Sequence, residues 1–181
     1  MNYQNFMGPS YETKFCALED AVVEGAEISG YASLFGASDQ GGDVVQKGAY
    51  AACLKRLSAR GGKVKMLWQH NPHQPIGVWD EIFEDAKGLR VKGRLLTEVQ
   101  AGREAQVLLE AGAIDGLSIG YRTKRSEKAG GGRLLHEIEL WEVSLVTFPM
   151  LSEARVQPSS DEEALAQNLA ETFRAARDLL V

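Results

Sequence analysis

The residues of this chain best suited to catalysis are a serine, a histidine and a glutamate that lie far apart in the sequence. Ser118 stands between glycines in the stretch Gly116 to Gly120, where the missing Cβ atoms leave room for another backbone to approach its hydroxyl. A serine hydroxyl becomes nucleophilic when a base within hydrogen-bond reach takes its proton. The sequence therefore predicts a base elsewhere in the chain that the fold brings to Ser118.

His70 is the leading candidate for this base. It ends a stretch in which Val64, Met66 and Trp68 occupy alternate positions, a period typical of a β-strand. We expect His70 to share the face of those three side chains and to be held in place by their packing. His73 is expected on the surface of the following loop, which two prolines make rigid.

Glu142 is the candidate for a third group that orients the imidazole and stabilises its protonated form. It lies in the otherwise apolar stretch Leu140 to Val146. Burying an unpaired carboxylate costs roughly several kcal/mol, so a partner is expected, and His70 fits; Glu139 is the substitute for Glu142. In a plainer interpretation Ser118 is a turn residue, His70 is structural and Glu142 faces water on an edge strand.

The stretch around Ser118 also matches G-x-S-x-G, the nucleophile elbow of α/β-hydrolases. That elbow needs a strand before the serine, a helix after it and a histidine later in the chain. Here a predicted helix precedes the serine, a predicted strand contains it, and the best histidine lies earlier. The pattern therefore does not indicate an α/β-hydrolase fold.

Composition narrows the class of protein. The chain has 181 residues, of which 44% are hydrophobic and 25% charged, as in one globular domain. A net charge of −5 implies no general nucleic-acid-binding surface, and no apolar stretch is long enough to predict a signal peptide or a membrane span. Cys16 and Cys53 are too far apart to suggest a metal site or a disulfide framework. We expect a cytosolic protein, or one inside a particle built in the cytosol.

Periodicity and turn residues predict about seven short strands and two or three helices. The predicted strands are Ile28 to Phe35, Val44 to Lys47, Val64 to His70, Gly77 to Phe83, Leu89 to Leu96, Leu117 to Tyr121 and Leu134 to Phe148. The predicted helices are Ala49 to Ser58, a helix capped by Thr97 that runs to Glu110, and an amphipathic helix over about residues 160–180. Pro72 and Pro75 predict a rigid loop after His70, and the basic stretch Arg122 to Arg133 predicts a hairpin tip.

These elements favour a mainly β, α+β fold. The predicted architecture is a closed or nearly closed antiparallel β-barrel with flanking helices, because helices do not separate the strands regularly. Residues 28–156 are expected to form the domain, after an N-terminal segment over residues 1–27. Residues 157–181 are expected to form a linker and the C-terminal amphipathic helix.

Other chemistries have weaker support. His70 and His73 have a spacing that a metal pair can use, but a proline intervenes and no cysteine lies nearby. Asp39 and Asp43 flank a Gly-Gly turn where calcium could bind, although aspartates commonly form such turns themselves. The triple glycine at 130–132 lacks the preceding strand and following helix of a phosphate-binding loop. No cofactor or metal is expected.

Four segments of the chain resemble the prohead proteases of tailed bacteriophages, a family that includes relatives in gene transfer agents. Together these segments cover roughly residues 28–156, in the family's order. They are Gly30 to Phe35 continued by Asp43 to Val45 and Gly48 to Tyr50, then Leu67 to Asn71, Gly112 to Tyr121, and Trp141 to Pro149.

The resemblance implies a serine endopeptidase with a fold like that of herpesvirus assemblins. In such an enzyme Ser118 matches the nucleophile, His70 the base and Glu142 the third member of a triad. Assemblins use a second histidine as that third member, and His136 is the spare histidine here. Oxyanion donors are expected among the backbone N–H groups near Ser118.

The resemblance also implies a substrate and a place of action. The enzyme would act inside the assembling procapsid, in the bacterial cytoplasm, on the scaffold-like N-terminal part of the major capsid protein precursor. It would finally digest itself, and residues 157–160 are a candidate linker for that cleavage. The C-terminal helix is expected to dock on a shell or scaffold protein or to form a homodimer. The alternative is a non-catalytic internal scaffold or assembly component of a phage-like particle.

Overall fold

The computed structural model describes residues 11–16, 22–39 and 41–147. This part of the chain forms nine strands and two helices. The strands are β1 (Glu12–Cys16), β2 (Val22–Glu24), β3 (Glu27–Leu34), β4 (Val44–Val45), β5 (Lys65–Trp68), β6 (Asn71–Glu84), β7 (Gly88–Leu95), β8 (Gly116–Ala129) and β9 (Gly132–Val146). The helices are α1 (Ala51–Ala59) and α2 (Gln100–Glu110). The predicted mainly β fold is confirmed.

All nine strands belong to one sheet that curls into a half-barrel. Its order is β1-β8-β9-β5-β6-β7-β3-β2, and β4 pairs with β9 outside this path. The pairings are antiparallel, except that β4 and β5 run parallel to β9. Helix α2 packs on β6 and β7, and α1 on β6 and β9. The long strands β8 and β9 therefore lie side by side, with β1 on one side and β5 on the other.

The hydrophobic core contains one face of β8 and β9 together with buried residues of the other strands and of both helices. Leu117, Ile119 and Tyr121 alternate along β8 and are buried in one apolar cluster. Val143 and Leu145 of β9 belong to the same cluster. A strand has a period of two, so the residues between them lie on the opposite face. There they form a second buried layer, which is more polar.

Two predicted loops are strands instead. The stretch with Pro72 and Pro75 was expected to be a rigid loop, which is wrong: β6 begins at Asn71 and contains both prolines. Register shifts in the β5–β6 pairing accompany them, and proline is tolerated at such irregularities because a ladder N–H is not needed there. The turn is confined to Gln69 and His70.

The basic stretch Arg122 to Arg133 was expected to be a hairpin tip, and this too is wrong. Strand β8 continues to Ala129 and β9 begins at Gly132, so the tip is two glycines long. Thr97 does not cap α2; the N-cap residue is Val99, without a side-chain cap. The carbonyls of Thr97 and Glu98 instead accept hydrogen bonds from Arg103.

The described helices include none of the length and apolar character that crossing a membrane requires. The predicted linker and C-terminal helix, at residues 157–181, lie outside the described residues.

Candidate active site

His70 lies in a tight turn between β5 and β6, two residues beyond the end of β5. Gln69 and His70 have φ angles of 50° and 60°, a left-handed conformation that costs energy for residues other than glycine. The backbone N–H of His70 donates a hydrogen bond of 3.1 Å to the Ser144 hydroxyl oxygen on β9. A strained backbone conformation of this kind persists where surrounding contacts stabilise it. The turn therefore holds the imidazole ring of His70 in a defined position against β9.

The face on which His70 lies differs from the prediction. It was expected beside Val64, Met66 and Trp68. Met66 is paired with Val143 on the core face, whereas His70 contacts Ser144 and Glu142 on the opposite face. The expectation is wrong because the two left-handed residues interrupt the alternation of the strand.

A β-bulge at Trp141 directs the Glu142 side chain. Strand β8 presents Gly120 and Tyr121 in succession, but their partners on β9 are Glu142 and Leu140. The extra residue between those partners is Trp141. Because adjacent strand residues face opposite sides, the bulge leaves Leu140 in the core and turns Glu142 to the other face. Bulges commonly re-aim a side chain in this way next to functional sites.

The Glu142 carboxylate has three hydrogen-bond partners and is almost completely buried, with 1% of its surface exposed. Its Oε1 lies 2.6 Å from His70 Nδ1 and accepts a 2.7 Å hydrogen bond from the Tyr11 hydroxyl. Its Oε2 accepts a short hydrogen bond from the Ser144 hydroxyl. The expected pairing of Glu142 with His70 is therefore confirmed. Because an ionised carboxylate only accepts, the His70 Nδ1 that contacts it is the donor, and Nε2 is the ring nitrogen that Glu142 does not contact.

Gly120 makes room for this carboxylate. A Cβ atom at position 120 would lie 2.0 Å from Glu142 Oε1 and 2.3 Å from the Tyr11 hydroxyl oxygen. Such contacts are far inside van der Waals distance, so the position admits only glycine in this arrangement. The second glycine of the G-x-S-x-G stretch was expected to admit a backbone beside the serine. Its space is instead filled by the acid and the tyrosine.

Ser118 lies on the same face of the sheet as this network. It is paired with Ser144 across the β8–β9 ladder, and side chains of directly opposed residues are neighbours, with Cβ atoms about 4.5–5.5 Å apart. On its other side Ser118 is paired with Phe15 of β1. Its side chain is fully buried, and its hydroxyl donates a 3.4 Å hydrogen bond to the Lys14 carbonyl oxygen. Ser118, Ser144 and Glu142 thus form one polar layer, and His70 contacts it through two of them.

The other candidate residues lie elsewhere. Glu139 binds Arg122 at 2.6 Å and Lys124 at 3.1 Å. Burial alone would raise the pKa of Glu139, but these two cations outweigh it and lower the pKa. His136 faces Glu127, at 3.5 Å, and lies six residues before Glu142, roughly 20 Å along the strand. His73 is exposed.

A cluster of charged residues attaches β1 to the rest of the sheet. Lys14 is buried and binds Asp39 at 2.9 Å, while Arg133 binds both Asp43 and Glu12. Hydrogen bonds from Arg133 lower the pKa of Asp43 below its usual value. Asp39 also accepts two backbone N–H groups of its own turn. The two aspartates considered for calcium are therefore occupied by protein cations and N–H groups.

Within residues 11–16, 22–39 and 41–147 there is no group of three or more histidine, cysteine, aspartate or glutamate side chains placed to hold a metal ion. The polar layer of Ser118, Ser144 and Glu142 thus holds two serine hydroxyls and a buried carboxylate that binds the His70 imidazole. An arrangement of this kind is suited to proton transfer and nucleophilic attack.

Sequence reasoning missed two residues of the site. Ser144 could have been found, because it lies two positions after Glu142 and a strand places such residues on the same face. Tyr11 had no comparable signal. It precedes β1, within a polar segment that was placed outside the predicted domain, and only the pairing of β1 with β8 brings it to Glu142.

Known proteins resemble the chain in sequence and in fold. It is 31% identical over 133 residues to the prohead protease of Enterobacteria phage HK97, a match that covers 71% of this chain and 58% of that protein. It is 34% identical over 101 residues to the capsid polyprotein of Pseudomonas phage PAJU2, covering 51% of this chain and 15% of the polyprotein. The chain thus spans less than two thirds of the length of either relative.

A solved structure shares the fold. The capsid assembly protease of bacteriophage T4 superposes with a TM-score of 0.63 at 13% sequence identity, over 77% of this chain and 98% of that one. The family model described as caudovirus prohead serine protease matches residues 14–168, which include the last three residues of β1, the His70 turn, β8 and β9. The chain therefore belongs to the caudovirus prohead serine protease family.

Proposed function

We propose that this chain is a serine endopeptidase of procapsid maturation, with Ser118 as nucleophile, His70 as base and Glu142 as the acid that orients the base. The observation that carries the proposal is the 2.6 Å contact between His70 Nδ1 and a buried Glu142 carboxylate, in the same polar layer as Ser118. Membership of a serine protease family supports the same assignment.

The reaction is acyl transfer. His70 Nε2 accepts the Ser118 proton while the serine oxygen attacks the carbonyl carbon of a peptide bond. The imidazolium then donates that proton to the departing amine, and water hydrolyses the acyl-enzyme by the reverse proton path. Glu142, ionised, stabilises the imidazolium between the two steps.

Access to Ser118 requires a local rearrangement. The hydroxyl is buried and donates to the Lys14 carbonyl, so it must exchange that bond for one to His70 as substrate enters. Catalytic hydrogen bonds often reach their working geometry only in the substrate complex.

The proposed substrate is the scaffold-like N-terminal part of the major capsid protein precursor, and finally the chain itself. The names of a prohead protease, a capsid polyprotein and a capsid assembly protease among the similar proteins support a capsid substrate. The proposed place of action is the interior of the assembling procapsid in a bacterial cytoplasm. We also propose that the curled sheet is an assemblin-like barrel closed through β1 and β3, which lie close to each other.

Co-expression with the shell protein tests this function. Wild type should remove the N-terminal part of the shell protein, detected by mass spectrometry of the mature N-terminus. Ser118→Ala should leave the precursor intact while the protein stays folded. Ser126→Ala is the matched control, since this serine lies on the same strand but is exposed. Trimming by Ser118→Ala at the wild-type rate would remove the serine from the mechanism. No trimming by wild type would favour the alternative, a non-catalytic scaffold component.

Glu142→Gln separates a catalytic from a structural carboxylate. The amide keeps the size of the side chain but removes the charge that stabilises the imidazolium, so turnover should fall more than stability. Thermal unfolding and cleavage rate are measured on the same preparation. A variant that mainly unfolds would make the carboxylate structural.

The segment after residue 156 is proposed to serve association. Removing residues 157–181 should impair incorporation into the particle, or formation of a homodimer, without destroying peptidase activity. Equal loss of both properties would refute this role.

A further inference from the structure

The Tyr11 hydroxyl contacts both members of the His70–Glu142 pair. It donates to Glu142 Oε1 at 2.7 Å, and its oxygen lies 3.3 Å from His70 Nδ1. The N–H group at His70 Nδ1 can share its hydrogen bond between Glu142 and the tyrosine oxygen. The tyrosine O–H group donates its own hydrogen bond to the Glu142 carboxylate. The three groups form a closed triangle of hydrogen bonds.

The tyrosine ring is held in place from two sides. It stacks on Trp141, with ring centroids 5.6 Å apart and an interplanar angle of 22°. Gly120 lies beside its hydroxyl, and a Cβ atom at that position would be only 2.3 Å from the hydroxyl oxygen. Trp141 is the extra residue of the bulge that aims Glu142. One bulge and one glycine thus position both the acid and the tyrosine.

The Tyr11 hydroxyl keeps its proton at neutral pH. Burial, and then the neighbouring Glu142 carboxylate, raise the pKa of Tyr11 well above its usual value. Glu142 therefore accepts hydrogen bonds from Tyr11 and His70 on one oxygen and from Ser144 on the other. A carboxylate with these three fixed donors has little freedom to rotate away from the imidazole.

We propose that Tyr11 is a positioning residue for the Glu142–His70 pair. This inference rests on the proposed peptidase function and deepens it. Tyr11 touches neither the serine hydroxyl nor, in the proposed reaction, the peptide bond; it acts by fixing the acid. Because Tyr11 directly precedes β1, the site is complete only when β1 is paired with β8.

Tyr11→Phe tests the proposal, since phenylalanine keeps the stacking on Trp141 and removes only the hydroxyl. The matched control is Tyr31→Phe. Tyr31 also donates to a carboxylate, Asp85, at 2.6 Å, but on β3 and away from the site. Purified shell-protein precursor is cleaved with excess enzyme, which yields the rate constant at saturation and the enzyme concentration that gives half that rate.

The expected result is a fall of the saturated rate constant by on the order of tenfold in Tyr11→Phe, because one hydrogen bond to a charged group is lost. The half-saturating concentration should stay within about twofold, as expected when ground-state binding is unaffected. Tyr31→Phe should retain the wild-type rate constant. A Tyr11→Phe rate constant equal to that of wild type, or an equal fall in both variants, would overturn the proposal.

A second readout does not depend on activity. In protein labelled with ¹⁵N-histidine, the hydrogen-bonded Nδ1 proton of His70 should give a low-field resonance, assigned by its loss in Glu142→Gln. Tyr11→Phe should shift or broaden it, and Tyr31→Phe should not; an unchanged resonance in Tyr11→Phe contradicts the proposal. If Ser118→Ala still cleaves the precursor, the assignment of Ser118 as nucleophile fails, and this resonance still decides whether Tyr11 positions the pair.

Discussion

Gly120→Ala is the sharpest perturbation of the site, since it adds one methyl group and removes nothing. The new carbon would lie 2.0 Å from Glu142 Oε1 and 2.8 Å from its Cδ. Cβ atoms in proteins are essentially never closer than 3.0 Å to such a neighbour, so the carboxylate oxygen has to move by about 1 Å or more. That oxygen is the one that His70 Nδ1 contacts at 2.6 Å.

The displacement should reduce activity much more than stability. A misplacement of about 1 Å in a catalytic group costs on the order of 100-fold in rate. Overpacking of a buried position costs about 1–3 kcal/mol. We therefore expect cleavage of the shell-protein precursor to fall about 100-fold at a temperature where the variant is still folded.

Two other glycines provide controls. Gly131→Ala, in the β8–β9 turn, adds a Cβ that meets nothing within 4 Å and should change neither property. Gly93→Ala, on β7, adds a Cβ 2.4 Å from the Val78 carbonyl oxygen and 2.7 Å from Trp79. It should destabilise the protein about as much as Gly120→Ala while leaving the site intact. Urea unfolding and single-turnover cleavage are measured for all three variants.

The comparison of Gly120→Ala with Gly93→Ala decides the matter. If both lose activity in proportion to their loss of stability, Gly120 is only a packing position. If Gly120→Ala cleaves at the wild-type rate, the Glu142 carboxylate is not required where the structure has it, and the orienting role of Glu142 is refuted.

Two further predictions concern the surroundings of the site. Ser144→Ala removes the donor to Glu142 Oε2 and the acceptor of the His70 backbone N–H. Because two hydrogen bonds are lost, stability should fall by about 1–3 kcal/mol and the cleavage rate by about tenfold or more; unchanged values for both would contradict the network. Arg133→Met removes the cation that lowers the pKa of Asp43. A carboxyl group with a lowered folded-state pKa stabilises the fold above its unfolded pKa, near 4, and this contribution is lost as the pH falls through the folded value. The variant should therefore be less stable than wild type by about 1–2 kcal/mol at pH 7, a loss kept small by the partial exposure of Arg133. The difference in stability between variant and wild type should narrow by pH 3. Urea unfolding at both pH values checks this, and an equal difference at both would show that the charges are not responsible.

Several features of this protein follow from local sequence. The alternation of apolar residues predicted most strands, and the two predicted over Gly77 to Phe83 and Leu89 to Leu96 are present and paired as β6 and β7. A carboxylate inside an apolar strand required a partner, and the pairing of Glu142 with His70 follows from the cost of leaving such a group alone. Ser118 was identified by its glycine neighbours, although the structure assigns Gly120 a different purpose.

The details of the site depend on backbone geometry that neither the hydrophobic period nor the secondary-structure propensity of the residues predicts. The left-handed turn at Gln69 and His70 and the bulge at Trp141 each change the face on which the following side chains lie. A change of one residue in register moves a side chain to the other side of a sheet, so no reading of alternation could place His70 correctly.

What the sequence determined by itself is the set of reactive groups and the mainly β character, because both depend on residue type and on short-range period. Only the tertiary structure decided which groups meet. The contact of Tyr11 with Glu142 joins residues 131 positions apart and arises because β1 pairs with β8. Strand pairing between distant segments is chosen by the burial of the whole sheet, which is a property of the assembled chain and not of any local stretch.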